Sequence, residues 1–530
     1  MARRFDFFVF LFLIGTWNAF ISASELSEYR EKNADFQKRY ETEILRLMEW
    51  AKEQGLEEDA EETRSLNHTP ANEDQFCFGI LPQEVQNPDL IQSNVSNSRK
   101  SGKTGKSEKS KSSKKENRTV SPHEEWTRRF SKLRLQASNQ LFRLAQAAVQ
   151  DGHCALGFDF LMRTLEENPD HLAAREILGY ELVENHWLSP FEKKQARTMV
   201  YHPRFGWMLP KNVERYEAGE RLYKGKWITE KQDAAAHFNI ENGWTVETPH
   251  FTIVTNHSLP AAVKIGEEVE VLYRVWKQMF LRYFATDAQI QALFAGKPFQ
   301  AAGGPRGTGT NGKHRLFFFR NQENYVEFLS PRYPQVRGSR GIYIMEDRTS
   351  YFFAGQEFDR ATMLHEVTHQ LFAELAPLAG RRSFELVESP NFWMIEGIAT
   401  YMESLHDEEN CHVVGGFDTP RLLAARVRFV KNNFYIPLEE FSAMNTAQFQ
   451  GHPQMVRLYS QASGLMQFLL HSGSGQYRDG VTDILRDIYT GKATPDSIPN
   501  RLGKSFSELD DEYRVYISRN KEELEKWELD

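Results

Sequence analysis

The spacing of apolar and polar positions changes period several times along this chain, and each change predicts a different element. Between 25 and 66, Tyr29, Phe36, Tyr40, Ile44 and Leu47 recur at helical spacing among charged residues, and Gly55 marks a break. A second helical stretch is predicted over 123–200, where Leu141, Leu144, Ala145, Ala148 and Leu161 repeat with the same period. Over 201–242, Gly206-Trp207-Met208-Leu209 is echoed by Gly225-Lys226-Trp227-Ile228, with Arg221-Leu222-Tyr223 between them. This predicts a small β-hairpin module. From 243 the pattern turns to aromatic strands at 251–255, 316–319, 342–345 and 351–354, interrupted by a helix over 260–284 with Ile265, Val269, Leu272 and Trp276 on one face. Asp359 is placed to cap a following helix, and from 420 the pattern is again largely helical. The sum is an α+β protein with an all-α segment ahead of a mixed sheet.

Length and composition divide the chain further. At 530 residues it is too long for one core, so several domains are expected. Arg3-Arg4, the apolar run from Phe7 to Ile14 and the small residues Ser22-Ala23-Ser24 have the parts of a secretory signal peptide over 1–24. An uncleaved anchor is the alternative, since 7–23 is just long enough to span a bilayer; cleavage implies a secreted or periplasmic protein with no further span. Residues 67–122 are expected to be a disordered basic linker. Within them 99–118 hold nine Lys or Arg against two acids, which leaves the rest of a chain of net charge −8 at −15. That stretch is read as a solvated spacer ahead of a polyanion tether, and no nucleic-acid partner is expected. Cys77, Cys154 and Cys411 allow one disulfide at most and fit no zinc spacing. The run Gly307-Thr308-Gly309-Thr310-Asn311-Gly312-Lys313 nearly spells a phosphate-binding loop. It is followed by His314 where a magnesium-binding hydroxyl should stand, so it reads as a surface loop. His406, Cys411 and His412 are too irregular for a metal site.

The chemistry is concentrated in two segments. In Thr362-Met363-Leu364-His365-Glu366-Val367-Thr368-His369-Gln370-Leu371, the two histidines stand four apart, so on a helix they project from one face and can fill two corners of a tetrahedral zinc site. Glu366 is then held beside the metal, where it can take a proton from bound water. No other charged residue lies between 361 and 373, which suits a helix buried against a core. In Phe392-Trp393-Met394-Ile395-Glu396-Gly397-Ile398-Ala399-Thr400-Tyr401, one carboxylate sits in an apolar helical run, a costly arrangement that a neighbouring cation would relieve. Gly397 and Ala399 would let that helix pack closely on its neighbour.

These two motifs resemble the gluzincins, zinc peptidases whose third ligand is a Glu on the helix after HExxH, and in particular peptidase-MA-like domains with a W-x-x-E-G-x-A-x-Y motif. The resemblance implies a zincin-like catalytic domain over 243–525, with His365, His369 and Glu396 as zinc ligands and Glu366 as general base. It also implies an oxyanion-stabilising Tyr well downstream, for which Tyr459, 63 residues after Glu396, is the candidate and His452 and His471 the reserves. The strand at 350–354 or 342–346 would pair with an extended peptide or protein substrate. Two features depart from the family. Twenty-six residues separate His369 from Glu396, and Thr400 stands where many members carry an Asp that orients a ligand His. If Glu396 were not the ligand, Glu388 and Glu403 would be next. The helices at 123–200 resemble one and a half tetratricopeptide units of about 34 residues, with Gly152, Pro169 and Leu178-Gly179 at matching offsets. The 25–66 helices would fold back to complete that stack, which offers a surface to a protein partner. Peptide-bond hydrolysis is thus the leading expectation. Its rivals are a non-catalytic scaffold with a structural or degenerate metal site and hydrolysis of a non-peptide amide.

Overall fold

In the computed structural model, helix α1 runs from Asp6 to Glu53 and α2 from Glu57 to Ser65, turning at Gly55 as the pattern predicts. The residues described are 6–65, 74–80, 120–183, 186–297, 312–355, 359–376, 389–408 and 411–527. The basic stretch 99–118, Glu388 and most of the glycine-rich loop lie outside them, as does the start of the expected signal segment. Among the described residues no helix is long and apolar enough to cross a membrane. The chain divides into two compact units.

Among its described residues the first unit is helical. Ser121 opens α3 (Pro122–Gln150) with a capping box to Glu124 and proline in the first turn, and α4 (Cys154–Glu167) follows after a short turn. α1 docks on this pair. Tyr29, Phe36, Tyr40, Ile44 and Leu47 are all buried, the Tyr29 hydroxyl donates to Asp151, and Arg163 donates to Asn33 at 2.9 Å. The Tyr40 hydroxyl donates to Glu167, which Arg134 also approaches at 3.5 Å. The stack takes one element from an unexpected place. The helix Asp287–Phe294, which the sequence pattern assigns to the second domain, belongs here, with Gln291 donating to the carbonyl of Val149 and Cys154 to that of Asp287.

The second unit opens with a strand, β1 (Gln75–Gly79), inside the segment expected to be linker. The five residues Gln75-Phe76-Cys77-Phe78-Gly79 are the one aromatic island there, and burial of that island against a sheet gives them a structure that their polar surroundings do not suggest. The next correction concerns 179–242. Instead of helix to 200 and one hairpin after it, the described residues form three hairpins, Glu181–Val183 with His186–Leu188, Val200–His202 with Gly206–Met208, and Glu220–Tyr223 with Lys226–Thr229. Trp187, Trp207 and Trp227 recur at intervals of twenty residues, each at the centre of its second strand and each followed by a short helix. The first copy lacks the glycine that stands shortly before the other two tryptophans, which hides it in the sequence.

Among the described residues the main sheet has five strands, β2 (Trp244–Glu247), β3 (Phe251–Thr255), β4 (His314–Phe319), β5 (Gly341–Ile344) and β6 (Thr349–Phe353), in the order β5-β6-β4-β3-β2. β4 runs parallel to β3 and β6, while β2 and β5 are antiparallel edge strands. Alternation splits the side chains between two faces. Phe319, Ile344 and Tyr351 join Tyr325, Leu329 and Val336 in a core on one side. The other face carries α5 (Leu259–Met279) and α6 (Arg360–Leu375), whose Trp276 and Phe372 rings meet edge to face at 5.2 Å. Behind α6 stand α7 (Phe392–Met402), α8 (Pro420–Val430), α9 (Met455–Gly475) and further helices to Ile517. Gly397 explains how closely α7 and α9 pack: a Cβ there would lie 2.9 Å from the carbonyl oxygen of Ala462. A second, three-stranded sheet joins β1 to β8 (Cys411–Gly415) and β7 (His406–Asp407), in the order β1-β8-β7. The architecture is α+β.

Candidate metal centre

Asp359 begins α6 by accepting from the Thr362 amide at 3.0 Å, the cap that the sequence suggests. The helix then buries Met363, Leu364, Val367, Leu371 and Phe372, and this turns His365 and His369 together toward α7. Their Nε2 atoms are 3.1 Å apart. Glu396, buried in the middle of α7, brings Oε2 to 3.4 Å from the first and 3.7 Å from the second. A tetrahedral ion with bonds of about 2.0–2.1 Å requires ligand–ligand edges of about 3.4 Å, so this triangle has the size of a zinc face. It is the one group of three such side chains among the described residues with metal-holding geometry. Two imidazoles with one carboxylate leave a fourth corner for water or substrate, the donor set of catalytic rather than structural zinc sites.

The electrostatics fit a cation. Burial opposes a charged His365, yet Glu396, Glu403 and Glu366 outweigh it and push the imidazole up to about 10 in the metal-free chain. Burial likewise opposes ionisation of Glu396, but His365 and His369 hold its carboxyl well below the usual range. Three carboxylates thus surround one imidazole pair.

The ring orientation is set by a residue the sequence left in reserve as a ligand. His365 Nδ1 lies 2.9 Å from Glu403 Oε1, while Arg421 on α8 donates from Nε and Nη2 to the same carboxylate at 2.8 and 3.1 Å. With Nδ1–H donating to Glu403, a neutral ring presents its lone pair at Nε2. Glu403 is seven residues beyond Glu396, two turns along the same helical face, and that spacing is the signal that could have found it. Thr400 does no such work; its hydroxyl donates to the Glu396 and Gly397 carbonyls within α7.

Glu366 accepts from the Tyr343 amide of β5 at 2.8 Å, so the edge strand and the prospective base are in direct contact. α6 reaches the strand there because position 341 is glycine; a Cβ would lie 2.8 Å from Thr362 Cγ2. Of the two strands considered for substrate pairing, β6 is flanked on both sides, and among the described residues β5 is an outer strand of the sheet. Deeper along α6, Glu374 forms a buried pair with His314 at 2.8 Å and accepts from Gln370 at 2.9 Å.

Tyr459 lies near the start of α9 with its ring against Phe449. Burial raises its phenol strongly, and the carboxylates of Glu396 and Glu366 add to the shift, so the hydroxyl lies within electrostatic reach of both. The two reserve histidines have partners of their own. His471 Nε2 is 2.9 Å from the Tyr401 hydroxyl and its ring stacks on Phe76 at 4.1 Å, while His452 Nδ1 accepts from the Gln454 amide. Tyr489 was not anticipated. Its ring stacks on Phe372 at 5.8 Å, and burial together with Glu396 raises its phenol. Nothing in the local sequence around it marks it.

Compared with models of known families and with characterised proteins, the chain matches none.

Proposed function

We propose that this chain is a zinc-dependent peptidase of the gluzincin kind, hydrolysing a peptide bond with His365, His369 and Glu396 as metal ligands and Glu366 as general base. The observation that carries the reading is the 3.1–3.7 Å triangle of His365, His369 and Glu396 donors with a carboxylate one residue from the first ligand. A structural site has no use for such a carboxylate. Zinc in this position supplies Lewis-acid polarisation of the scissile carbonyl and lowers the pKa of a bound water. Glu366 accepts the proton of the attacking water and delivers it to the departing amine. Tyr459, protonated throughout because its phenol is raised, donates to the oxyanion as it develops. An extended peptide laid along β5, the outer strand among the described residues, would bring its carbonyl close to Glu366, which already meets the Tyr343 amide. The signal-like start of the chain fits action outside the cytoplasm.

Metal analysis and turnover of three variants test this together. Parent protein should bind one zinc and cleave an unstructured protein such as casein, with chelation abolishing cleavage. Glu366→Gln should keep the zinc and lose activity, and Glu396→Ala should lose both. Equal zinc content in parent and His369→Ala would end the proposal.

A further inference from the structure

β1 is held in the second sheet by more than its main chain. The Asp74 carboxylate accepts from the Tyr516 hydroxyl at 2.7 Å, and the Asp74 carbonyl accepts from Gln467. Phe76 lies flat on His471. These contacts fix the register with β8, in which Cys77 faces Val413 and Cys411 faces Gly79. The two cysteines are therefore diagonal neighbours on one face of an antiparallel pair. Gly79, the residue opposite Cys411, has no side chain to stand between the two thiols. The sulfur atoms come to 3.1 Å although the residues are 334 apart in sequence. The third cysteine is engaged elsewhere, its sulfur 3.6 Å from the Asp287 carbonyl in the first unit.

We infer that Cys77 and Cys411 form a disulfide that staples β1 to β8 when the protein meets an oxidising compartment. The oxidant is a disulfide, whether of a small molecule or of a dithiol oxidase. Cys77 is the more accessible of the two and Cys411 is buried, so Cys77 attacks first. Its thiolate joins one sulfur of the oxidant and expels the other as a thiol. The Cys411 thiolate then attacks Cys77, closes the protein disulfide and expels the second thiol. Two protein thiols are oxidised, one disulfide is reduced, and the two protons end on the released thiols. The consequence is covalent: a chain cut anywhere between the two cysteines, including within 99–118 where Lys and Arg are dense, remains one molecule.

The test uses full-length protein purified under reducing conditions and equilibrated, without unfolding, in glutathione buffers of increasing oxidised fraction. After acid quenching, denaturation and alkylation, a tryptic digest is analysed without reduction. Cys77 and Cys411 should lose alkylation together and appear in one linked peptide, two hydrogen atoms lighter than its parts, while Cys154 keeps its label. In Cys411→Ser, Cys77 should stop at the glutathione adduct. A glutathione adduct on Cys77 of the parent with no linked peptide, persistent alkylation of both cysteines in the most oxidising buffer, or a link to Cys154 would each overturn the inference.

Discussion

Replacing Glu403 by alanine isolates what a residue outside the ligand triangle contributes to it. In the parent chain the carboxylate accepts a hydrogen bond from His365 Nδ1–H at 2.9 Å and is itself clamped by Arg421 at 2.8 and 3.1 Å. Without it, the ring is free to turn and its proton is free to sit on Nε2, the atom that faces Glu396 and would bind the proposed metal. Arg421 loses its partner too, but its side chain is 45 % exposed and water can replace the carboxylate. The cost is therefore that of a lost orienting bond and not of a stranded buried charge. Loss of such a partner weakens metal binding by about 10–100-fold, or about 1.4–2.7 kcal/mol. Glu403→Gln keeps one acceptor oxygen and should fall between parent and alanine variant. Competition with a chromogenic chelator measures the zinc Kd directly, and the melting temperature of the metal-free form reports folding separately. A folded Glu403→Ala protein with the parent's Kd would refute the orienting role.

Other expectations follow from the same geometry. Tyr459→Phe should retain zinc and KM but lose about a hundred- to a thousandfold in kcat, and full activity would return Tyr459 to the core. Gly397→Ala forces a methyl to 2.9 Å from the Ala462 oxygen and should cost about 1–3 kcal/mol in denaturant unfolding; an unchanged midpoint would show that α7 and α9 can part freely. In the metal-free chain the folded His365 value of about 10 exceeds its ordinary 6.5, so its stabilisation is complete below pH 6.5 and is lost as pH rises through 10. Glu396 acts in the opposite sense, its contribution present at neutral pH and lost in acid. Thermal melts with chelator should therefore decline from neutral toward pH 10, whereas zinc-loaded protein, with that nitrogen occupied, should not share the decline; parallel curves would contradict this.

The parts of the site that could be read in the sequence are those whose geometry is local. The four-residue histidine spacing, the Asp359 cap and the lone carboxylate of α7 each need only one helix to be interpreted, and the structure brings His365, His369 and Glu396 together. Glu403 needed knowledge that α7 keeps its face for two full turns. Tyr489 needed the packing of α6 against a helix more than a hundred residues later. β1 was hidden for the same reason on a larger scale: its apolar island is short, its surroundings are polar, and its partner strand lies more than three hundred residues downstream. The hairpins were half legible, because the echo around Trp207 and Trp227 was visible and its first copy at Trp187 was not.

The placement of β1 also sets an order of events in making the protein. A strand that emerges early must wait for β8, and at synthesis rates of about 5–20 residues per second that wait is roughly 20–70 seconds. During that interval Cys77 has Cys154 as an earlier available partner, and an oxidant acting then would join the wrong pair. Loop closure over so long a span is slow and costs entropy before any contact rewards it. The second unit therefore cannot finish its smaller sheet during synthesis of the N-terminal half. Any fragment begun after the basic stretch leaves β8 with an unpaired edge, exposed to pairing with another copy.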